Sequence, residues 1–94
     1  MDNIKISLDD VSLIIATYNE EESLPFVLDE IKDYNFGEII IVDGDSTDNT
    51  EIIAREYGAT FIKQNKKGWG NAALEGFSKS NFKFITYMDG DGSY

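Results

Sequence analysis

Four short apolar segments recur along the chain and are separated by polar loops and amphipathic stretches. They are Val11–Ala16, Glu38–Val42, Ala59–Lys63 and Phe84–Met88. The last segment is typical of a strand buried on both faces of a sheet, and the first is typical of a buried strand. The second is rich in β-branched residues, and the third is a shorter strand. The pattern therefore predicts four strands, with the polar stretches as their connections.

Each connection contains a stretch with the periodicity of a helix. The first helix is expected to begin between Glu21 and Leu24, because Pro25 is tolerated only in a first turn. Its apolar stripe consists of Leu24, Val27, Leu28 and Ile31. These positions follow the i, i+3, i+4, i+7 spacing of one helix face, which predicts that this face covers the sheet.

Two further helices follow the second and third strands. Ser46 or Thr47 is the predicted N-cap of the second helix, which ends at Gly58. The third helix is predicted over Asn71–Ser80. The side chains expected to face inward are Ile52, Ile53 and Tyr57 in the second helix and Ala73, Leu74 and Phe77 in the third.

The alternation of four strands with three helices predicts the fold class. Parallel strands need crossover connections of this length, and helices then cover both faces of the sheet. We expect a single domain over residues 1–94 with a three-layer α/β/α, Rossmann-like parallel sheet of about four strands. The expected strand order is 3-2-1-4, with a switch point between the first and fourth strands.

Composition narrows the classes of function. The formal net charge of −10 repels nucleic acid, so we expect no nucleic-acid partner, and a phosphate ligand would need a divalent cation. The absence of Cys and His excludes disulfides, thiolate nucleophiles, imidazole bases and the usual zinc sites. No segment has the length of a membrane span and no signal peptide is evident, which predicts a cytoplasmic location.

Polar and acidic residues follow three of the four predicted strands. They are Thr17, Tyr18, Asn19 and Glu20 after the first strand, Asp43 and Asp45 after the second, and Asp89 and Asp91 after the fourth. Ligands of open α/β sheets bind beyond the carboxyl ends of the strands. These loops therefore predict a ligand cleft. Neither G-x-G-x-x-G nor a P-loop is present, which disfavours a dinucleotide or P-loop site.

The residue types in these loops suggest separate roles. The Asp43 carboxylate can accept hydrogen bonds from the N–H groups of a base, and Tyr18 offers a flat ring nearby. Asp89 and Asp91 can hold a ribose hydroxyl and a cation that bridges a diphosphate. The glycine-rich turn that ends at Gly70 lets the backbone approach a nucleotide closely.

Simpler structural roles compete with these functional ones. Asp45 and Asp48 are typical of a solvated turn with a helix cap. Glu21 and Glu22 are typical of a helix N-terminus, where the helix dipole favours negative charge. The Asp89–Asp91 segment by itself is also typical of a simple turn.

Four motifs in this order resemble family 2 glycosyltransferases with a GT-A fold, nearest to the dolichyl-phosphate mannosyl- or glucosyltransferase type. The motifs are Ala16-Thr-Tyr-Asn-Glu20, Val42-Asp-Gly-Asp-Ser-Thr-Asp-Asn-Thr50, Gly68-Trp-Gly-Asn-Ala72 and Met88-Asp-Gly-Asp91. The resemblance begins near Val11 and covers the rest of the chain. The second loop departs from the family pattern of Asp-Asp-Gly-Ser, since Gly44 precedes Asp45.

The resemblance implies a role for each site residue. The residues implied to contact the nucleotide are Thr17, Tyr18, Glu20, Asp43 and Asp89. Asp89 and Asp91 are implied to hold Mg or Mn on the diphosphate. The implied ligand is a nucleotide-diphosphate sugar, either a UDP- or a GDP-sugar.

The resemblance also implies which part of a glycosyltransferase this chain represents. It predicts the nucleotide-sugar-binding half of an inverting glycosyltransferase, acting on an acceptor such as a polyprenyl phosphate, and truncated after Asp91. The acceptor site and the catalytic base are expected beyond this point, and membrane contact is expected only through that part or a lipid acceptor. The alternative is a non-catalytic nucleotide-binding fragment, or one that forms homo-oligomers through a sheet edge.

Overall fold

The computed structural model describes residues 8–65, 69–81 and 84–89. Its strands and α-helices are β1 (Val11–Thr17), α1 (Leu24–Ile31), β2 (Glu38–Asp43), α2 (Thr50–Glu56), β3 (Thr60–Lys63), α3 (Trp69–Lys79) and β4 (Phe84–Asp89). Short 3-10 turns occupy Leu8–Asp10 and Lys32–Tyr34. Across the described ranges the longest helix has 11 residues, and none has the length and apolarity that a membrane crossing requires.

The four strands form one parallel sheet in the order β3-β2-β1-β4. The predicted fold class and strand order are therefore confirmed. β1 is an inner strand that pairs with β2 on one side and β4 on the other. Its last two residues, Ala16 and Thr17, pair with Asp89 and Asp43 respectively. The ends of three strands thus meet at one edge of the sheet.

Helices α1 and α2 cover one face of the sheet. The predicted stripe of α1 is confirmed, because all four of its residues are buried. They pack against Leu13, Ile15, Ile41 and Ala54. Since burying one such aliphatic side chain contributes roughly 1.5–3 kcal/mol, this cluster is a principal source of stability.

Helix α3 covers the opposite face of the sheet, and Gly76 is its point of close contact with that face. A Cβ atom at Gly76 would lie 2.4 Å from Cγ2 of Ile14, a distance that real side chains do not adopt. The prediction that Leu74 and Phe77 face the sheet is wrong, because both are exposed, Leu74 by 64%. Neighbouring helix positions diverge by about 100°, so an inward Gly76 directs these two outward. The Ala73 side chain lies outside the described residues.

Helix α2 also turns small residues inward. Thr50 and Ala54, four positions apart, are fully buried, and Ile53 packs partly against the core, as predicted. Ile52 is 56% exposed, so its predicted inward position is wrong. The same prediction is wrong for Tyr57, which is exposed and donates its hydroxyl hydrogen bond to a carboxylate on α1.

A cluster of hydrogen-bonded polar residues lies at the amino edge of the sheet, opposite to the acidic loops. The buried Ser12 hydroxyl donates to Oε1 of Glu38 at 2.6 Å, and the Asn81 backbone N–H donates to the same oxygen at 2.7 Å. Ser80 donates to the Ser12 hydroxyl at 2.6 Å. The Glu38 carboxylate therefore ties the segment after α3 to the first two strands.

This cluster predicts a specific loss of stability in acid. Burial alone would raise the pKa of Glu38, but hydrogen bonds from Ser12 and Asn81 together hold that pKa below its ordinary value of 4.5. A lowered folded-state pKa means that the contribution is present above the unfolded-state pKa and is lost as pH falls through the folded-state value. Urea unfolding at about pH 7 and about pH 3 should show a smaller acid loss for Glu38→Gln than for the wild type. Equal losses would contradict this role.

Candidate functional site

The loops after β1 and β2 lie side by side at the carboxyl edge of the sheet. Thr17 and Asp43, the last residues of the two strands, are register partners. The Gly44 backbone N–H continues the pairing by donating to the Thr17 carbonyl at 2.9 Å. Because ligands of open α/β sheets bind beyond this edge, residues 18–23 and 44–49 form the candidate site.

Asp43 is the buried centre of this edge, with only 2% of its surface exposed. Its Oδ1 accepts hydrogen bonds from the hydroxyls of Thr17, at 2.6 Å, and Ser46, at 2.5 Å. Its Oδ2 accepts the Ser46 backbone N–H at 2.7 Å. A carboxylate has about four acceptor sites, so the chain itself uses most of them. A base that reached Asp43 would share Oδ2 with Ser46.

Asn19, Ser46 and Thr47 join the two loops, and we call this set the interloop latch. The Asn19 backbone N–H donates to Oγ of Ser46 at 2.8 Å. The Asn19 side-chain Oδ1 accepts the Thr47 backbone N–H, also at 2.8 Å. Asn19 adopts a left-handed backbone with φ 50°, a region that asparagine tolerates better than most residues.

The start of α2 differs from the prediction. Ser46 and Thr47 do not cap this helix because they face the first loop, and the N-cap position falls at Asn49. The capping contact comes from Asp48, whose Oδ1 accepts the Thr50 backbone N–H at 3.0 Å. Asp48 therefore makes a capping contact, as its simpler structural role predicts, but from the position before the N-cap.

A second pair of contacts fixes the segment that leads into α1. The backbone N–H of Glu20 donates to Oγ1 of the buried Thr50 at 3.0 Å, and that of Glu21 donates to Oδ2 of Asp48 at 3.2 Å. Burial alone would raise the pKa of Asp48, but hydrogen bonds from Thr50 and Glu21 together hold that pKa below its ordinary value of 3.8. Ser23 donates to the Glu20 carboxylate at 2.9 Å.

Tyr18 projects from this fixed framework with 58% of its surface exposed. Its neighbours in the chain, Thr17 and Asn19, are both hydrogen-bonded to the second loop. A Cβ atom added at Gly44 would lie 3.7 Å from both Cδ1 of Tyr18 and Oε1 of Gln64. The Tyr18 ring therefore lies next to Gly44, whose backbone carries no side chain.

An acidic groove of about 380 Å³ opens along the first loop. It is lined by Asn19, Glu20, Glu21, Glu22, Ser23 and Asp48. Four of these six residues carry carboxylates. This part of the surface attracts cations and repels an unaccompanied phosphate.

The third predicted loop is described only in part. The Asp89 backbone pairs with Ala16, so β4 ends beside the β1 loop, but the Asp89 side chain and all of Asp91 lie outside the described residues. Within the described ranges, no group of three or more acidic, His or Cys side chains is placed to hold a metal. Helix α3 begins at Trp69 rather than at the predicted Asn71, which places Gly70 in its first turn.

The sequence did not reveal the latch. Asn19 and Ser46 of the latch, and Thr50 beside it, each have polar side chains typical of turns and caps, which bond locally in most loops. Here they bond to partners 27 to 30 residues away. A local pattern carries no signal for such pairs, and only the parallel register of β1 and β2 brings them together.

The sheet order and the paired loops at its carboxyl edge define a Rossmann-like α/β protein of the kind that binds ligands at this edge. The sequence profile of the family described as Glycosyl transferase family 2 matches residues 12–94. The chain belongs to this family.

Curated relatives include a glycosyltransferase and a dolichol-phosphate mannosyltransferase. The chain is 33% identical over 87 residues to glycosyltransferase AglJ of Haloferax volcanii, covering 92% of this chain and 29% of AglJ. It is 35% identical over 89 residues to the dolichol-phosphate mannosyltransferase of Pyrococcus furiosus, covering 86% of this chain and 25% of that protein. The chain therefore spans less than a third of the length of these two relatives.

Solved structures show the same fold. Glucosyl-3-phosphoglycerate synthase of Mycobacterium tuberculosis in complex with UDP matches with a TM-score of 0.79 and 26% identity, over 86% of this chain and 33% of the synthase. The complex of that synthase with Mn²⁺, UDP-glucose and phosphoglyceric acid matches with a TM-score of 0.77 and 25% identity, over 85% of this chain and 32% of the synthase.

Proposed function

We propose that this chain binds a nucleotide-diphosphate sugar, UDP- or GDP-linked, as the donor-binding part of a glycosyltransferase. The observation that carries the proposal is the exposed Tyr18 ring, which follows β1 at the carboxyl edge of the sheet, where β2 and β4 also end. A flat ring beside hydrogen-bonding groups suits a nucleotide base. The complexes of the mycobacterial synthase with UDP and UDP-glucose support the same ligand class.

The proposed contacts follow the order of the loops. The nucleotide-binding residues would be Thr17, Tyr18, Glu20, Asp43, Gly70 and Asp89. Tyr18 would stack on the base. Asp43 would act mainly through Thr17 and Ser46, because they already occupy most of its carboxylate.

Asp89 and Asp91 would hold the metal, Mg or Mn. Two carboxylates separated by one glycine supply the hard oxygen ligands that these cations take, so the residue types fit the group. When bound, the cation would neutralise charge on the diphosphate leaving group. The acidic groove disfavours a phosphate that arrives without such a cation.

Residues 1–94 would form the nucleotide-sugar-binding domain, and a polyprenyl phosphate would be the acceptor. The similarity to a dolichol-phosphate mannosyltransferase supports that acceptor class. No residue is assigned as the catalytic base. A cytoplasmic location and homo-oligomers formed through an edge strand stay predictions.

Calorimetry tests the proposal directly. The chain should bind UDP or GDP in the presence of Mn²⁺, and Asp91→Ala should weaken that binding by at least about tenfold because one metal ligand is lost. Asp33→Ala, which removes an exposed acid far from the site, is the matched control and should leave affinity unchanged. Equal binding by the wild type and Asp91→Ala would exclude the metal role.

A further inference from the structure

Tyr18 is anchored on both sides by hydrogen bonds to a different loop. On one side, the Thr17 hydroxyl donates to Asp43 and the Thr17 carbonyl accepts the Gly44 N–H. On the other side, the backbone and side chain of Asn19 bond to the latch residues of the second loop. The ring between these anchors nevertheless remains exposed.

The Ser46 hydroxyl connects the two anchors. It accepts the Asn19 N–H and donates its own hydrogen to Oδ1 of Asp43, the oxygen that also accepts Thr17. The hydrogen bonds therefore form a closed circuit through Thr17, Asp43, Ser46 and Asn19. The backbone of Tyr18, between Thr17 and Asn19, completes this circuit. Because the Ser46 hydroxyl carries one hydrogen, which it donates to Asp43, its lone pairs are left to accept the Asn19 N–H.

Asn19 has a left-handed backbone conformation, which the hydrogen bonds of the circuit stabilise. Its φ of 50° lies in a region where L-residues are rarely found. Such conformations persist where the surrounding contacts determine them, and they cluster at ligand-binding sites. Here the left-handed turn directs the Asn19 N–H and Oδ1 toward the second loop.

We propose that Asn19 and Ser46 are positioning residues, which hold the Tyr18 ring ready for the base of a nucleoside diphosphate. The proposal rests on the proposed function and adds to it the residues that act through Tyr18. A ring fixed before binding loses less conformational freedom when the base stacks on it, so the circuit raises nucleotide affinity without touching the nucleotide.

The test compares UDP affinity, measured by calorimetry with Mn²⁺ on the whole chain, in single and combined variants. Asn19→Ala and Ser46→Ala should each weaken UDP binding by about fivefold to tenfold, and Tyr18→Ala should weaken it at least as much. In a Tyr18→Ala background, Asn19→Ala should change affinity by less than about twofold, because the residue through which it acts is gone.

Asn35 supplies a matched control for backbone strain. It has a left-handed backbone with φ 58° in the connection before β2, at the opposite edge of the sheet. Asn35→Ala should lower the midpoint of thermal unfolding through backbone strain, by no more than Asn19→Ala, which also loses the bond from Thr47, yet it should keep UDP affinity within about twofold of the wild type.

Three outcomes would overturn the proposal. The first is wild-type affinity in both Asn19→Ala and Ser46→Ala. The second is an equal loss for Asn19→Ala with and without the Tyr18 ring, which would show that Asn19 acts independently of the ring. The third is a wild-type chain that binds no UDP or GDP, which would also overturn the proposed function, whereas the first two leave that function intact.

Discussion

Asp43→Ala is expected to lower the free energy of unfolding by about 3 kcal/mol, because it leaves several buried donors without an acceptor. The Thr17 hydroxyl and two groups of Ser46 all donate to this carboxylate. Removing it would also relieve some repulsion in a chain of net charge −10, which acts in the opposite direction. The loss of the buried hydrogen bonds dominates, since relief of a dispersed surface charge is worth only a few tenths of a kcal/mol.

A matched pair separates charge from hydrogen bonding. Asp43→Asn removes one negative charge from the end of β2, and Asp45→Asn removes one from the loop that follows, where Asp45 is exposed. Asparagine also tolerates the left-handed backbone of Asp45, whose φ is 73°. Urea unfolding should show a clear loss for Asp43→Asn, whose amide NH₂ must face a donor, and a change within about 0.5 kcal/mol for Asp45→Asn. Equal changes would mean that Asp43 is not the structural centre of the edge.

Gly76→Val is expected to destabilise the chain by about 2–3 kcal/mol through overpacking. Any Cβ at this position meets the Ile14 side chain, with its Cγ2 at 2.4 Å and its Cδ1 at 2.9 Å. Ile14 is fully buried and branched at Cβ, so Cγ2 moves only if the rotamer or the helix shifts. Gly76→Ala should also destabilise, but less, because alanine favours a helix over glycine by about 1 kcal/mol.

The source of the Gly76 effect can be checked by a double-mutant cycle. Ile14→Ala alone should cost about 2–5 kcal/mol by leaving a cavity. It should cost less in a Gly76→Ala background, because the new methyl group then occupies space that Ile14 has vacated. Thermal unfolding followed by circular dichroism measures each step, with Ser78→Ala on the exposed side of α3 as the control. Strictly additive losses would show that the two residues are not coupled.

Much of the fold followed from sequence pattern because its strongest signals are local. The branched runs of β1 and β2 and the stripe of Leu24, Val27, Leu28 and Ile31 each report burial within a few residues. The adjacent positions of β1, β2 and β3 agree with the preference of consecutive parallel strands for neighbouring places, whereas the connection through α3 passes over two strands to reach β4. The carboxyl edge was then fixed by topology, which brings Thr17 beside Asp43 and Ala16 beside Asp89.

The inner faces of α2 and α3 did not follow from hydrophobic pattern. Both helices approach the sheet through small residues, namely Thr50 and Ala54 in α2 and Gly76 in α3. A hydrophobicity pattern gives most weight to large apolar residues, so it directed Ile52 and Leu74 inward although both are exposed. A helix that lies close to the sheet needs small residues on its inner face. The distance between helix and sheet is a tertiary property, which the hydrophobicity pattern does not contain.

The candidate site, like the fold, could be predicted from the sequence only in part. The sequence pattern correctly predicted that Tyr18 and Asp43 lie at one edge of the sheet, because the ends of the strands determine that placement. It did not show that the Asp43 carboxylate is committed to Thr17 and Ser46, since those bonds depend on loop conformation. The roles of Asp89 and Asp91 as metal ligands stay predictions.

The contrast between the two edges of the sheet indicates where the chain can be extended or labelled. At the carboxyl edge, even one additional residue in either loop would pull apart bonds that join the loops. The connection around Asn35 carries an exposed left-handed turn between α1 and β2 and lies on the far side of the sheet. Exposed turns of this kind accommodate inserted peptides best, so a fluorophore or affinity tag belongs there.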